Sequence, residues 1–125
     1  MKDLIKLGIF LTFSFYFIIG CSIECSVNQV QVINDLKNYQ SIIGYVRDCG
    51  ATSAYTINVS FIRPGMNIKS ERGEVFRATH TSDLQIEKVS KDKVKIVFSA
   101  SKDDIVTKVD SMYGIKFIYY NNWDN

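Results

Sequence analysis

Regular alternation of apolar and polar side chains is the feature that most constrains the fold of this chain. Between residues 55 and 61 every second side chain is apolar, and Thr, Asn and Ser occupy the positions between them. Because successive side chains of a strand point to opposite faces of a sheet, this run predicts a strand with one buried face. Residues 93–98 and 115–120 repeat the pattern, and the richer segment 39–47 predicts a strand buried on both faces.

Weaker strands are predicted at residues 74–79, 84–89 and 105–109, with turn residues such as Arg63-Pro64-Gly65 and Arg72-Gly73 between strands. The segment 27–36 admits a helix or a strand, because its apolar residues fit either spacing. We favour a short strand there, since Asn34-Asp35 is typical of a turn.

Many short strands separated by closely spaced turns favour an all-β, mainly antiparallel fold. We expect a small sandwich or an open barrel or meander, preceded by an N-terminal signal helix. A parallel sheet is not expected, because no helix is apparent that could carry the crossover connection.

The first twenty residues have the character of an export signal. Residues 1–6 carry two lysines and one aspartate, and residues 7–19 carry no charge. A positive start followed by a short apolar run is typical of a secretory signal peptide. A spanning helix needs about 20 apolar residues, so an uncleaved membrane anchor is the weaker alternative.

Ile18-Ile19-Gly20-Cys21 resembles the lipobox of bacterial lipoproteins, with Ile in place of the usual Leu at its first position. The resemblance implies removal of residues 1–20 and at least two fatty acyl chains, such as palmitate, on Cys21. Residues 21–125 would then form a single extracytoplasmic domain, held stably at a membrane surface of the cell envelope. Ser22 after the anchor implies the outer membrane if the bacterium has two.

Composition bears on the partners that such a domain could have. Fifteen basic residues face thirteen acidic ones, which gives a net charge of +2. This balance supplies no strong field for nucleic acid, so none is expected as a partner. We expect the membrane as a partner through Cys21, and a protein partner of unknown identity.

With Cys21 assigned to lipid, Cys25 and Cys49 are left as a natural disulfide pair in an oxidising compartment. The alternative is a reactive thiol at Cys49, which would need a nearby base or positive charge such as Arg47. A disulfide would hold the loop around Cys49 near the anchored side, and would leave the aromatic C-terminus as the surface for a partner.

The segment from Arg47 to Ser53 is the most unusual in the chain. In one interpretation Arg47, Asp48 and Thr52 present polar groups to a ligand. In the other the segment is a tight connection, in which Gly50 permits a positive φ and Asp48 accepts hydrogen bonds from the backbone.

This segment, Arg47-Asp48-Cys49-Gly50-Ala51-Thr52-Ser53, resembles the R-D-C-G-A-T-T signature of an uncharacterised family of small bacterial lipoproteins. Gly73-Glu74-Val75-Phe76 and Gly114-Ile115-Lys116 match later elements of the family, and Cys25 matches its upstream cysteine. The turn that usually precedes the signature is mostly lost at residues 35–39. The resemblance implies a fold and an envelope location, and it implies no activity.

The remaining candidate residues suggest surfaces rather than chemistry. His80 stands without a cluster of metal ligands, and Asp103-Asp104 lacks the alternating oxygen ligands of a calcium loop. No cofactor or metal is therefore expected. Tyr120 and Trp123 near the C-terminus are expected to be exposed, and exposed aromatic side chains are favoured anchors at protein interfaces.

These patterns favour a non-enzymatic binding or interaction module at the cell surface, with immunity or exclusion as one form of that role. The alternative is a structural or stress-related envelope lipoprotein. An enzyme that uses Asp48, Arg47 and His80 is the less favoured hypothesis, because no recognisable catalytic set or spacing is present.

Overall fold

The computed structural model describes residues 25–50 and 55–123. The predicted signal helix, the lipidation residue Cys21 and the candidate Thr52 lie outside these residues. Nine strands are described: β1 (Ser26–Ile33), β2 (Ile42–Asp48), β3 (Thr56–Phe61), β4 (Phe76–Thr79), β5 (Leu84–Ser90), β6 (Lys93–Phe98), β7 (Ile105–Lys108), β8 (Ser111–Met112) and β9 (Ile115–Asn121). No described segment forms a helix long and apolar enough to span a membrane.

The strands form two open sheets that share one core. The first has the order β1-β2-β3-β4-β7 and is antiparallel throughout. The second has the order β5-β6-β9-β8, with antiparallel pairing at β5–β6 and β8–β9 and parallel pairing at β6–β9. The expected all-β, mainly antiparallel fold is confirmed, in the form of a small sandwich.

The parallel pair β6–β9 was not expected from the sequence. Its connection, residues 99–114, contains no crossover helix; instead it adds β7 to the edge of the first sheet and returns through β8. A parallel pair needs a long connection outside its own sheet, and here a strand of the opposite sheet supplies it. The assumption that only a helix could do so was wrong for this pair.

Aromatic side chains join the two sheets at the centre of the sandwich. The ring centroid of Phe76 in β4 lies 4.5 Å from that of Phe98 in β6 and 5.4 Å from that of Tyr119 in β9. Phe61 in β3 packs edge-to-face on Phe117 in β9, with centroids 6.1 Å apart. Burying each such side chain contributes roughly 1.5–3 kcal/mol, so these contacts hold the sheets together.

A side-chain amide closes one flank of the sandwich. Gln31 follows a bulge in β1, where Gln29 has φ 51°. The Gln31 Nε2 atom donates to the carbonyl oxygen of Leu84 at 2.8 Å, and the backbone N–H of Ile86 donates to Gln31 Oε1 at 2.9 Å. The amide thereby occupies backbone groups at the edge of β5, much as a neighbouring strand would.

Candidate functional site

Strand register sorts the loops into two ends of the sandwich. The disulfide Cys25–Cys49 lies beside the start of β1 and the end of β2. We call this the cysteine end. The loops at 34–41, 90–92 and 113–114 lie at the opposite end, where the N–H of Lys37 donates to the carbonyl oxygen of Lys91 at 2.7 Å and Asn38 Nδ2 donates to that of Tyr113 at 3.1 Å. We call residues 34–41 together with 113–114 the distal tip.

The C-terminal aromatic residues belong to the cysteine end. Asn121 pairs with Phe98, Phe98 pairs with Leu84, and the side chain of nearby Thr81 donates to the carbonyl oxygen of Ser99. The backbone N–H of Thr81 also donates to the carbonyl oxygen of Tyr55, just beyond the signature segment. The structure therefore brings the disulfide and the aromatic C-terminus to one end, and the expected separation between them is not found. The reason is that β9 runs parallel to β6.

Tyr120 and Trp123 are exposed, as expected, with relative exposures of 51% and 56%. The Nζ atom of Lys95 lies 4.8 Å from the centroid of the Tyr120 ring, a favourable cation–π distance. Trp123 follows the end of β9 and its backbone N–H donates to Asn121 Oδ1 at 3.0 Å. Both aromatic side chains are thus available for contact at or near the cysteine end.

Asp48 and Gly50 fit the tight-connection interpretation of the signature segment. The backbone N–H of Gly50 donates to Asp48 Oδ1 at 3.0 Å, and Gly50 has φ 109°, a value that side chains disfavour. The disulfide at Cys49 excludes the alternative of a free reactive thiol there. Arg47 points to the outer face of the first sheet and is only 7% exposed.

Among the described residues, the side chain of His80 forms its hydrogen bonds with Thr79 and Asp104. Its Nδ1 atom lies 2.9 Å from Asp104 Oδ1, its side chain is 66% exposed, and its backbone has φ 59°. Asp104 also accepts a hydrogen bond from Thr79, so this pair links β4 to the turn before β7. Within the described ranges, no group of three or more His, Cys, Asp or Glu side chains could hold a metal ion.

The distal tip has an unusual backbone. Asp35, Asn38, Tyr39 and Tyr113 adopt φ values of 58°, 61°, 58° and 54°. Left-handed conformations are tolerated by Asn and Asp but are costly for aromatic residues, typically by about 1–3 kcal/mol, and such strain tends to cluster at functional sites. Tyr39 is nonetheless fully exposed at 103%, and Tyr113 is 58% exposed.

Lysines surround an open depression at the distal tip. Lys37, Lys88 and Lys91 line it together with Asp35 and Tyr39. The Nζ atom of Lys88 donates to the carbonyl oxygen of Asp35 at 3.1 Å and so supports the left-handed turn. The depression therefore combines exposed aromatic surface with positive charge.

A second polar region covers the outer face of the first sheet. Register places Tyr45, Asn58 and Arg77 in one row across β2, β3 and β4, and Arg47 lies in the next row towards the cysteine end. Residues 63–74 fold back over this face, and we call them the strap. Since the strap covers β2 from outside, residues 42–47 are buried on both faces, as predicted. The predicted start at residue 39 was wrong, because Lys37–Tyr39 form a 3-10 turn and the strand begins at Ile42.

Hydrogen bonds from side chains hold the strap on the sheet. The carbonyl oxygen of Glu71 accepts from Tyr45 Oη at 2.9 Å and also from Arg47 Nη1. The N–H of Gly73 donates to Asn58 Oδ1 at 3.1 Å. A Cβ at Gly73 would lie 3.0 Å from the Val59 nitrogen and would collide with the Phe76 carbonyl oxygen, so the strap requires glycine where it meets the sheet.

Burial shapes the electrostatics beneath the strap. It raises the pKa of Tyr45, an effect partly offset by the nearby guanidinium of Arg47. Burial also lowers the pKa of Arg77, and the neighbouring charges of Arg47 and Arg72 lower it further. Arg77 is therefore close enough to both Arg47 and Arg72 for their positive charges to repel its own.

No protein-family model, curated protein or solved structure matches this chain. The resemblance to lipoproteins with the R-D-C-G-A-T-T signature stays a prediction.

Sequence reasoning missed the distal tip. It also missed the grouping of Arg47, Arg72 and Arg77, which we call the arginine group. Arg77 carried one usable signal, because it is a charged residue in a predicted strand. Its approach to Arg47 and Arg72 depends on the order of three strands and on the path of the strap.

Proposed function

We propose that this protein is a lipid-anchored binding module of the bacterial cell envelope, and that its distal tip recognises a partner protein. The lipid would be carried by Cys21, and residues 22–24 would join it to the cysteine end of the sandwich. The role is non-enzymatic in this proposal.

The observation that carries the proposal is that the cysteine end and the distal tip lie at opposite ends of the sandwich. The Cys25–Cys49 disulfide supports export to an oxidising compartment, and it fixes the start of the domain four positions after Cys21. A domain tethered there would direct the distal tip away from the membrane. The exposed rings of Tyr39 and Tyr113 would then be the first aromatic surface that an approaching protein meets.

The anchor is tested by changing Cys21→Ala in the full chain and fractionating the cells. We expect the variant to leave the membrane fraction, because its signal would lack the thiol that receives lipid. The matched control is the double variant Cys25→Ala, Cys49→Ala, which removes the disulfide but keeps the lipobox and should remain with the membrane. Membrane retention of Cys21→Ala would contradict the proposal and favour an uncleaved N-terminal anchor.

The distal tip is tested by site-specific photo-crosslinking in intact cells. A photoreactive residue at Tyr39 should give a discrete crosslinked protein, and Tyr113→Ser should weaken that product. The matched position is Tyr55, which is 47% exposed near the cysteine end and should give no such product. A product from Tyr55 or Trp123 but not from Tyr39 would place the partner surface at the wrong end for this proposal.

A further inference from the structure

The three arginines at the strap, Arg47 and Arg77 on the sheet and Arg72 on the strap itself, use few of their hydrogen-bond donors within the described part of the protein. Arg47, Arg72 and Arg77 each carry five N–H donors. Among the described residues, the one hydrogen bond from these side chains is that from Arg47 Nη1 to the Glu71 carbonyl oxygen. The Nε atoms of Arg47 and Arg77 are buried without a partner in the described part of the chain. Buried donors without partners are costly, so a site that holds these two favours an acceptor from outside.

Nearby carboxylates do not neutralise these arginines. Glu71 and Glu74 both lie on the strap, but their carboxylates bind Arg63, at 3.2 Å through Nη2 and 2.9 Å through Nη1. The second carboxylate oxygen of Glu74 accepts from the backbone N–H of Phe61 at 3.1 Å. Within residues 25–50 and 55–123, no carboxylate forms an ion pair with Arg47, Arg72 or Arg77. Their positive charge is left for another anion.

We propose that Arg47, Arg72 and Arg77 form a binding site for an oxyanion of the phosphate class. An arginine guanidinium can donate two parallel hydrogen bonds to two oxygens of one phosphate. Such charge-assisted hydrogen bonds are roughly twice as strong as neutral ones. A phosphate group carries about −1.5 to −2 charge and several acceptor oxygens, so it can accept hydrogen bonds from more than one guanidinium at once. A single carboxylate, with two oxygens and one charge, would satisfy fewer of these donors.

Solvent can reach the site from the side of Arg72. Arg72 is exposed on the strap and Arg77 is only partly buried, whereas Arg47 forms the buried floor. Arg47 also lies one residue from Asp48 and two from Cys49, near the cysteine end. The phosphate could therefore be free in solution or belong to a lipid headgroup, and the two sources share the same chemistry at the arginines.

The site is tested on the full chain in detergent, with inorganic phosphate titrated at constant ionic strength and binding measured by calorimetry. We expect saturable binding that Arg77→Gln and Arg72→Gln each weaken by roughly tenfold or more, since each removes charge-assisted hydrogen bonds. The matched control is Lys69→Gln, which removes an exposed positive charge from the same strap and should leave the affinity unchanged. If Arg77→Gln does not fold, the exposed position Arg72 decides the result.

A second titration uses short-chain phosphatidylglycerol below its aggregation concentration. Arginine-dependent binding of both probes supports the site and shows that free phosphate is a sufficient ligand. Arginine-dependent binding of the lipid alone supports the site and shows that the phosphate comes from a lipid headgroup. Binding of neither probe, or binding that the arginine variants leave unchanged, overturns the proposal. The Cys21→Ala variant should bind like the unaltered chain, so the anchor and this site can fail separately.

Discussion

At the scale of single residues, Tyr119 shows how a buried phenol ties strand ends together. Its hydroxyl lies 2.6 Å from the carbonyl oxygen of Val109, to which it donates, and 3.3 Å from that of Val75. Val75 precedes β4 and Val109 follows β7, so this one side chain of β9 contacts two segments of the first sheet. Burial raises the pKa of Tyr119 above its ordinary value.

This raised pKa predicts a loss of stability in alkali. In the unfolded chain the phenol ionises near pH 10, whereas in the folded protein it keeps its proton to higher pH. Its contribution is therefore fully present below about pH 10 and is lost as the pH rises from there towards the folded-state pKa. We expect Tyr119→Phe to cost about 1 kcal/mol at pH 7 and to make stability fall less steeply above pH 10.

Urea unfolding at several pH values measures both effects of Tyr119→Phe. Some slope will remain, because burial also raises the pKa of Tyr45. The control is Tyr39→Phe, in which the phenol lost is fully exposed, and its slope should match that of the unaltered protein. An equal slope in Tyr119→Phe would show that this phenol does not govern alkaline stability.

At the scale of elements, the side-chain amide of Gln31 connects β1 to β5 through two hydrogen bonds. Gln31→Met keeps the length of the side chain but leaves the N–H of Ile86 and the carbonyl of Leu84 without their partner. We expect a loss of about 1–3 kcal/mol in the free energy of unfolding. We also expect faster hydrogen exchange at Ile86, because that amide would lose its acceptor.

The matched control for Gln31 is Gln85→Met. Gln85 is an exposed residue on β5 whose amide, among the described residues, donates only to Glu87 Oε1 at 3.0 Å. Its replacement should change stability by a few tenths of a kcal/mol, as surface substitutions usually do. Equal costs for the two variants would mean that the Gln31 amide does not join the sheets.

The elements also show which parts of the fold the sequence could predict. The strands around Ile57, Val94 and Phe117 were predictable because alternation is a local signal. β8 was missed because it has only two residues, too few to show an alternation of apolar and polar side chains. The parallel pair and the arginine group depend on which strands become neighbours, and that information does not lie in any single segment.

The distal tip was hidden from the sequence for a different reason. Tyr39 and Tyr113 take left-handed conformations that aromatic residues rarely adopt, so no local rule selects them. Contacts from elsewhere hold them, such as the hydrogen bond from Asn38 to the Tyr113 carbonyl. Sequence reasoning thus found exposed aromatic residues at the C-terminus and overlooked those at the opposite end.

At the scale of the whole molecule, the chain passes repeatedly between the two sheets. β1 to β4 build the first sheet, β5 and β6 begin the second, β7 returns to the first, and β8 and β9 complete the second. Neither sheet is a continuous piece of chain, and the Phe76–Phe98 contact joins their centres. A sheet that opened alone would expose this shared aromatic core and lose contacts on both sides.

This interleaving predicts that both sheets unfold in one cooperative step. Val59 lies in the middle of the first sheet and Ile96 in the middle of the second, and both are fully buried. In native-state hydrogen exchange, their amides should open with the same free energy. Phe76→Leu should lower both values equally, by about 1–2 kcal/mol, because it removes packing atoms from the shared core.

The matched variant is Val106→Ala, a change on β7 at a side chain that is 56% exposed, which should leave both opening free energies nearly unchanged. If Phe76→Leu lowered the value for Val59 alone, the first sheet would be opening while the second stayed folded. The return of the chain to the first sheet at β7, between β6 and β9 in sequence, would then not make the unfolding of the two sheets cooperative. An equal decrease in the opening free energy at Val59 and Ile96 would instead mean that the return of the chain at β7 and the shared aromatic core make the two sheets one folding unit.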